Sequence, residues 1–222
     1  MIDKKYVTFR REPFFELAKP FITSDSKVLD VGSGSEANFS KYFKRKDFYL
    51  FDGNKDTVFK LKQNFQNVTQ GSLPNLPYEN HKFDLIHCSH VIEHLTPDIL
   101  YATLKEMDRC LNKNGYLIIS APLLWDGFYN DLSHIKPYPP AIFKNYLCSK
   151  TNNSRTRELI SNDYMLINEV YRYAEVGHPL RNAINTKGNL IIKFWFKVHG
   201  LLHKLGLRHY AKTGYTIVLK KQ

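Results

Sequence analysis

Two rhythms of apolar and polar residues alternate along the first half of the chain. Unbroken apolar runs, KVLDV (27–31), FYLFD (48–52), FDLIHCS (83–89) and YLIISAP (116–122), predict buried strands, and NVTQ (67–70) predicts a weaker one. Between them the period lengthens to that of a helix. ANFSKYFKR (37–45) follows the first strand, and KDTVFKLKQNF (55–65) sets Val58, Leu61 and Phe65 on one face. PDILYATLKEMDRCL (97–111) carries a stripe of Ile99, Leu100, Leu104, Met107 and Leu111, and Asn114-Gly115 is its expected stop. FRREPFFELAKPFI (9–22) opens the chain as a helix-like segment through Phe14, Phe15, Leu17 and Phe21. Strand and helix in strict turn predict an α/β fold, doubly wound around a parallel sheet.

The rhythm breaks after Pro122. An aromatic and proline-rich loop, LLWDGFYNDLSHIKPYPP (123–140), leads to a helix PAIFKNYL (140–147). YMLINEVYRYAEV (164–176) alternates like a strand, residues 178–210 look helical, and GYTIVLKK (214–221) closes the chain as a strand. The expectation is one domain over residues 1–222, a seven-stranded, mostly parallel sheet, with a helical, basic insertion at about 177–211.

Composition adds little; charge adds more. With 43% hydrophobic and 24% charged residues, the chain is of ordinary globular type. Cys88, Cys110 and Cys148 are odd in number and scattered, as in a reducing compartment. No signal-like run and no long uncharged apolar stretch occurs, so a cytoplasmic location is expected. The net charge is +11, and Val176–Gln222 holds nine Lys or Arg and no acid. An anionic partner near that segment follows. In LIIKFWFKVHGLLHKL (190–205), Lys193, Lys197 and Lys204 form one narrow stripe. This is either a core-packed or lid helix with a solvated lysine edge, or a peripheral contact of residues 189–207 with anionic lipid at the inner membrane face.

The candidate chemistry starts at KVLDVGSGSEANF (27–39). Gly32-x-Gly34-x-x-Ala37 fits a dinucleotide-binding turn, but Asp30 just before it would repel a pyrophosphate. A cationic ligand reverses the sign, and S-adenosylmethionine (SAM) carries both a sulfonium and an ammonium. LDVGSGSE resembles the first motif of the class I SAM-dependent methyltransferases. YLFDGN resembles their second strand, and GSLPNLPYENHKFDLIHCSHVIEHL their third and fourth strand region with its V-x-E-H-L string. The resemblance is to the small-molecule and glycan type, and it implies an antiparallel last strand. It implies SAM held by Asp30, Gly32, Gly34, Asp52 at the ribose, Ser72, Leu73 and Ser89. Two positions depart from the family: Glu36 replaces a glycine, and Ser72 stands where an acid often meets the adenine.

Two histidine-bearing strings complete the picture. His90, Glu93 and His94 share one face by i, i+3, i+4 spacing, and with His134 they could hold a divalent ion. Small-RNA 2′-O-methyltransferases have a similar layout, with a carboxylate where this chain has His90. Metal-free members carry the same V-x-E-H-L string, and no metal is the expectation taken here. DLSHIKPYPP resembles a D-x-x-H-x-x-x-Y/F-x-P string of small-molecule and sugar methyltransferases, which implies His134 as the general base. The bland alternative is a loop histidine ordering Asp131. Trp125, Phe128, Tyr129 and Tyr138 offer rings for a sugar, an aromatic metabolite or a nucleobase. The expected function is SAM-dependent methyl transfer to a hydroxyl or other heteroatom of an anionic small-molecule or glycan-type acceptor. A metal-dependent RNA 2′-O-methyltransferase and a noncatalytic SAM-fold scaffold are the alternatives; RNA ranks lower because no appended RNA-binding module is present.

Overall fold

The structure is a computed structural model that describes residues 2–151, 154, 156–176, 190–206 and 208–222, with Val176 and Lys204 as backbone only. Seven strands form one sheet: β1 (Val28–Val31), β2 (Tyr49–Asp52), β3 (Val68–Gln70), β4 (Phe83–Ser89), β5 (Leu111–Pro122), β6 (Tyr164–Val176) and β7 (His209–Lys221). Their order is β3-β2-β1-β4-β5-β7-β6. β1 to β5 run parallel, β7 is antiparallel to β5, and β6 is antiparallel to β7.

The helices are α1 (Glu12–Phe15), α2 (Asn38–Phe43), α3 (Lys55–Lys62), α4 (Pro97–Cys110), α5 (Ala141–Phe143) and α6 (Leu190–Lys204). Alternate residues of the central strands feed two cores, one on each face, which is why those strands read as unbroken apolar runs. Leu29, Val31, Ile86 and Ile119 pack with Leu104 and Met107 of α4. Val28, Leu50, Leu85 and Ile118 pack with Phe15, Phe39 and Leu61 on the other side. The order turns back at the β1–β4 pair. Their carboxyl ends therefore open a crevice, the usual ligand edge of such sheets.

Local chemistry revised several expectations. α4 stops at Cys110, and Asn114-Gly115 lies inside β5, next to a register shift against β4. Asn114 takes φ 64°, and a Cβ on Gly115 would come 2.9 Å from the Asn112 carbonyl oxygen. A pair suited to end a helix serves equally to bend a strand. Leu111 thus enters the core from β5 rather than from α4. The opening segment is α1 followed by a 3₁₀ stretch, Glu16–Phe21. Pro20 has no N–H to donate to an α-helical bond there. PAIFKNYL divides likewise into α5 and a π turn, Lys144–Cys148. β7 starts five residues before Gly214, so the end of the expected insertion is strand. Residues 177–189 of that insertion lie outside the described residues.

Candidate functional site

The glycine turn is built by its neighbours. Gly32 and Gly34 have φ of 70° and 64°, a region that L side chains enter at a cost. A Cβ on Gly32 would sit 2.2 Å from Cγ2 of Val91, so the post-β4 segment packs directly on the turn. The Gly32 N–H donates to the Phe51 carbonyl at 2.8 Å, and the Gly34 N–H to Asp52 Oδ2 at 3.0 Å. Asp52 Oδ1 accepts from the Asn54 N–H at 2.9 Å. The Asp52 carboxylate is thereby fixed at the end of β2, with lone pairs left for a diol. Gly32, Asp52, Ser72, Leu73, Val91 and Leu95 line a cavity of about 250 Å³ at this edge. These residues fit the adenosine portion of SAM: a held carboxylate, a turn closed to a Cβ at Gly32, and apolar walls.

Three other expected cofactor residues lie outside that lining. Gly34 has open space where its Cβ would be, beside the cavity rather than in it. Asp30 is buried, and its Oδ1 lies 2.7 Å from His87 Nδ1. His87 is stacked on Phe39 with ring centroids 3.8 Å apart. Part of the Asp30 carboxylate is therefore satisfied from within the sheet. Ser89 is buried opposite Ser120 in the β4–β5 pair. His87 was missed because nothing local announces it; it is the cross-strand partner of Asp30.

A second group stands at the same edge. Glu93 and His94 lie on a 3₁₀ turn, Ile92–His94, just after β4, and His134 lies on the loop after β5. The backbone N–H groups of Ile135 and Lys136 donate to the Glu93 carbonyl at 2.8 and 3.3 Å, which clamps the loop over the turn. The clamp brings ligand-type atoms of Glu93, His94 and His134 within 4.8 Å of one another. His94 Nδ1 meets the Ser133 carbonyl at 3.0 Å, and His134 Nδ1 meets the Phe128 carbonyl at 2.6 Å. A carbonyl only accepts, so each Nδ1 carries a proton, which leaves Nε2 as the atom that can exchange a proton or bind an ion. Glu93 is 1% exposed, and neither of its carboxylate oxygens has a hydrogen-bond partner among the described residues.

His90 does not join this cluster. A 3₁₀ turn replaces the α-helical spacing that would have aligned all three residues. Its Nδ1 is 3.2 Å from Glu93 Oε1 but without hydrogen-bond alignment, and its buried Nε2 has no partner among the described residues. Burial holds the His90 imidazole below its ordinary pKa, against the pull of Glu93. Asp131 is ordered by the Ser133 N–H and hydroxyl, at 2.9 and 2.6 Å, whereas His134 Nε2 stays 3.9 Å away. The expected aromatic wall is only half available. Phe128 and Tyr138 are buried, the Tyr138 hydroxyl donating to the Leu95 carbonyl at 2.8 Å, while Trp125 and Tyr129 are exposed.

Sequence reasoning also missed Arg172. It projects from β6 at the register of Gly214 and Pro122, 8% exposed, with its guanidinium 5.0 Å above the Phe14 ring. Burial, then the charge of Arg11, pushes its pKa down to about 10, while Glu93 opposes them. Its Nε has no partner among the described residues.

A seven-stranded sheet of this order, with a glycine turn and a ribose-type carboxylate at the reversal, is the class I SAM-dependent methyltransferase fold. Residues 6–169 match the family described as "Methyltransferase domain", and the chain belongs to that family. It is 31% identical over 123 residues to "Probable methyltransferase PMT7" of Arabidopsis thaliana, covering 47% of this chain and 20% of that protein. It is 30% identical over 120 residues to a "Chemotaxis protein methyltransferase" of Vibrio anguillarum, covering 52% and 41%. The chain thus spans about a fifth and about two-fifths of the length of these two relatives. Among solved structures, a SAM-dependent methyltransferase from Archaeoglobus fulgidus superposes with TM-score 0.59 at 21% identity, over 96% of this chain and 95% of that one. TehB from Haemophilus influenzae superposes with TM-score 0.59 at 19% identity, over 99% and 65%. Similarity at that level speaks for the fold.

Proposed function

We propose that the protein methylates a hydroxyl or other heteroatom of an anionic small-molecule or glycan-type acceptor, with SAM as donor and His134 as proton acceptor. The observation that carries this reading is His134 itself, anchored through Nδ1 on the Phe128 carbonyl and grouped with Glu93 and His94, their ligand-type atoms within 4.8 Å of one another. Bound SAM supplies a methyl group on a positively charged sulfur, already activated for displacement. Asp52 and the glycine turn hold the ribose side, and Asp30 adds negative charge near a cationic ligand. His134 would take the acceptor proton, and the nearby Glu93 carboxylate would stabilise the resulting imidazolium. Arg172 and the basic residues of the last segment favour an anionic acceptor.

The test is a radiolabelled methyl-transfer assay on cell extract separated into RNA, lipid, polysaccharide and small molecules. Label outside the RNA fraction supports the reading, and label removed by ribonuclease overturns it. On the labelled acceptor, His134→Ala should lower turnover by ~10²-fold or more with SAM affinity nearly unchanged. An unaltered rate would reduce His134 to a loop residue.

One observation favours a second reading. A buried carboxylate with no hydrogen-bond partner among the described residues is costly, and a divalent ion held by Glu93, His94 and His134 would satisfy it. Both imidazoles already offer Nε2, with Nδ1 anchored on a carbonyl, as ligating histidines do. The ion would then acidify the acceptor hydroxyl in place of a base, as a metal-dependent RNA 2′-O-methyltransferase requires. Elemental analysis decides. Stoichiometric metal that is lost in Glu93→Gln, with activity lost to a chelator and restored by metal, supports this second reading; full activity in chelator supports the first.

A further inference from the structure

Beyond the last residue of β5, β6 and β7 continue as a two-stranded ribbon, with Val7 bridged to Tyr173 of β6. Pro122 pairs with Gly214 and Gly214 with Arg172, and the pairing runs on to Val176 and His209. Four residues at ~3.3 Å each carry the ribbon about 13 Å past the sheet's edge. That edge is the one bearing the glycine turn and the Glu93 cluster. Helix α6 belongs to the connection between the ribbon's two strands. Its inner side is anchored by His199, buried and stacked on His209 with ring centroids 4.6 Å apart.

Its outer side is apolar. Leu190, Phe194 and Leu201, with Leu205 one residue past the helix end, are between 58 and 79% exposed. At 3.6 residues per turn they fall within a wedge of roughly 60°. Scattered exposed apolar residues are ordinary; a row of them along one helix marks a contact surface. Lys193 and Lys197, both exposed, run directly beside this row. The acid at the ribbon's end, Glu175, is already taken up by His203 at 3.1 Å and by Arg208.

We propose that this face of α6 docks in the plane of an anionic lipid bilayer. The apolar row would enter the acyl boundary while the lysines meet phosphates. Charge decides against a second copy of the chain. Lys193 and Lys197 border the row, so two such faces would bring like charges together. α6 is also too short to cross, since its 15 residues span ~22 Å against a hydrocarbon core of ~30 Å. Among the described residues no helix is long and apolar enough to cross a membrane. Docking itself is independent of the proposed reaction. That the acceptor is met at the bilayer surface rests on that reading, because the cofactor cleft opens at the same edge.

The test is flotation of the protein with vesicles of phosphatidylcholine alone and of phosphatidylcholine with phosphatidylglycerol, at low and high salt. The protein should float with the mixed vesicles, much less with the neutral ones, and less again at high salt. Phe194→Glu with Leu201→Glu should lower the bound fraction by about tenfold or more while SAM affinity, read by calorimetry, stays unchanged. As a second variant, Lys193→Glu with Lys197→Glu should abolish the preference for anionic vesicles. Absence of flotation, or flotation indifferent to both pairs, overturns the proposal. So does a concentration-dependent dimer, without vesicle binding, that Phe194→Glu with Leu201→Glu dissociates; it would assign the face to a second copy.

Discussion

Asp52 has two jobs that a single substitution can separate. Its Oδ2 latches the glycine turn through the Gly34 N–H, and its Oδ1 caps the turn before α3 through Asn54. Removing it should weaken SAM binding by ~1–3 kcal/mol, the cost of a lost hydrogen bond to a charged group. Titration calorimetry on Asp52→Ala should read that loss, and Asp52→Asn should recover part of it by keeping one acceptor. Unchanged affinity in Asp52→Ala would remove Asp52 from the cofactor site. The candidacy of Asp52 was legible because strand ends and glycine turns are local patterns. Its bond to Gly34 was not, since 18 residues separate the partners. Glu93 shows the same division: the string I-E-H is visible in the sequence, but the burial of its carboxylate with no hydrogen-bond partner among the described residues is not.

At the scale of elements, the turn between β1 and α2 depends on the segment after β4. Gly32→Ala would force a Cβ against Val91 in a left-handed conformation. The expected loss of stability is ~1–3 kcal/mol from the combined crowding and strain. Thermal denaturation should show the drop, and adding Val91→Ala should restore the crowding part but not the conformational part. A silent Gly32→Ala would mean that the turn and the post-β4 segment are not in fixed contact. Where the pattern misled, the cause was an ambiguous signal. Asn-Gly both terminates helices and bends strands, and only the pairing of β5 with β4 and β7 resolved it. The prolines of the first 22 residues did carry their information; Pro20 turned an expected helix into a 3₁₀ stretch.

Across the whole molecule, the sequence by itself determined the alternating α/β architecture, the doubly wound and mostly parallel sheet, and the resemblance to SAM-dependent methyltransferases. These follow from periodicity and turn chemistry, which act over a few residues and survive in any environment. Tertiary structure alone decided which side chains meet. Asp30 joins His87 across adjacent strands, and His134 comes to Glu93 only because the loop clamps on the Glu93 carbonyl. Arg172 reaches the same edge through the register of β6 on β7. The outward face of α6 likewise needed the fold: its period showed which residues share a side, but not which side the protein covers. Each of these facts joins residues far apart in the chain. A pattern of near neighbours carries no term for such pairs, whereas strand order and register fix them directly.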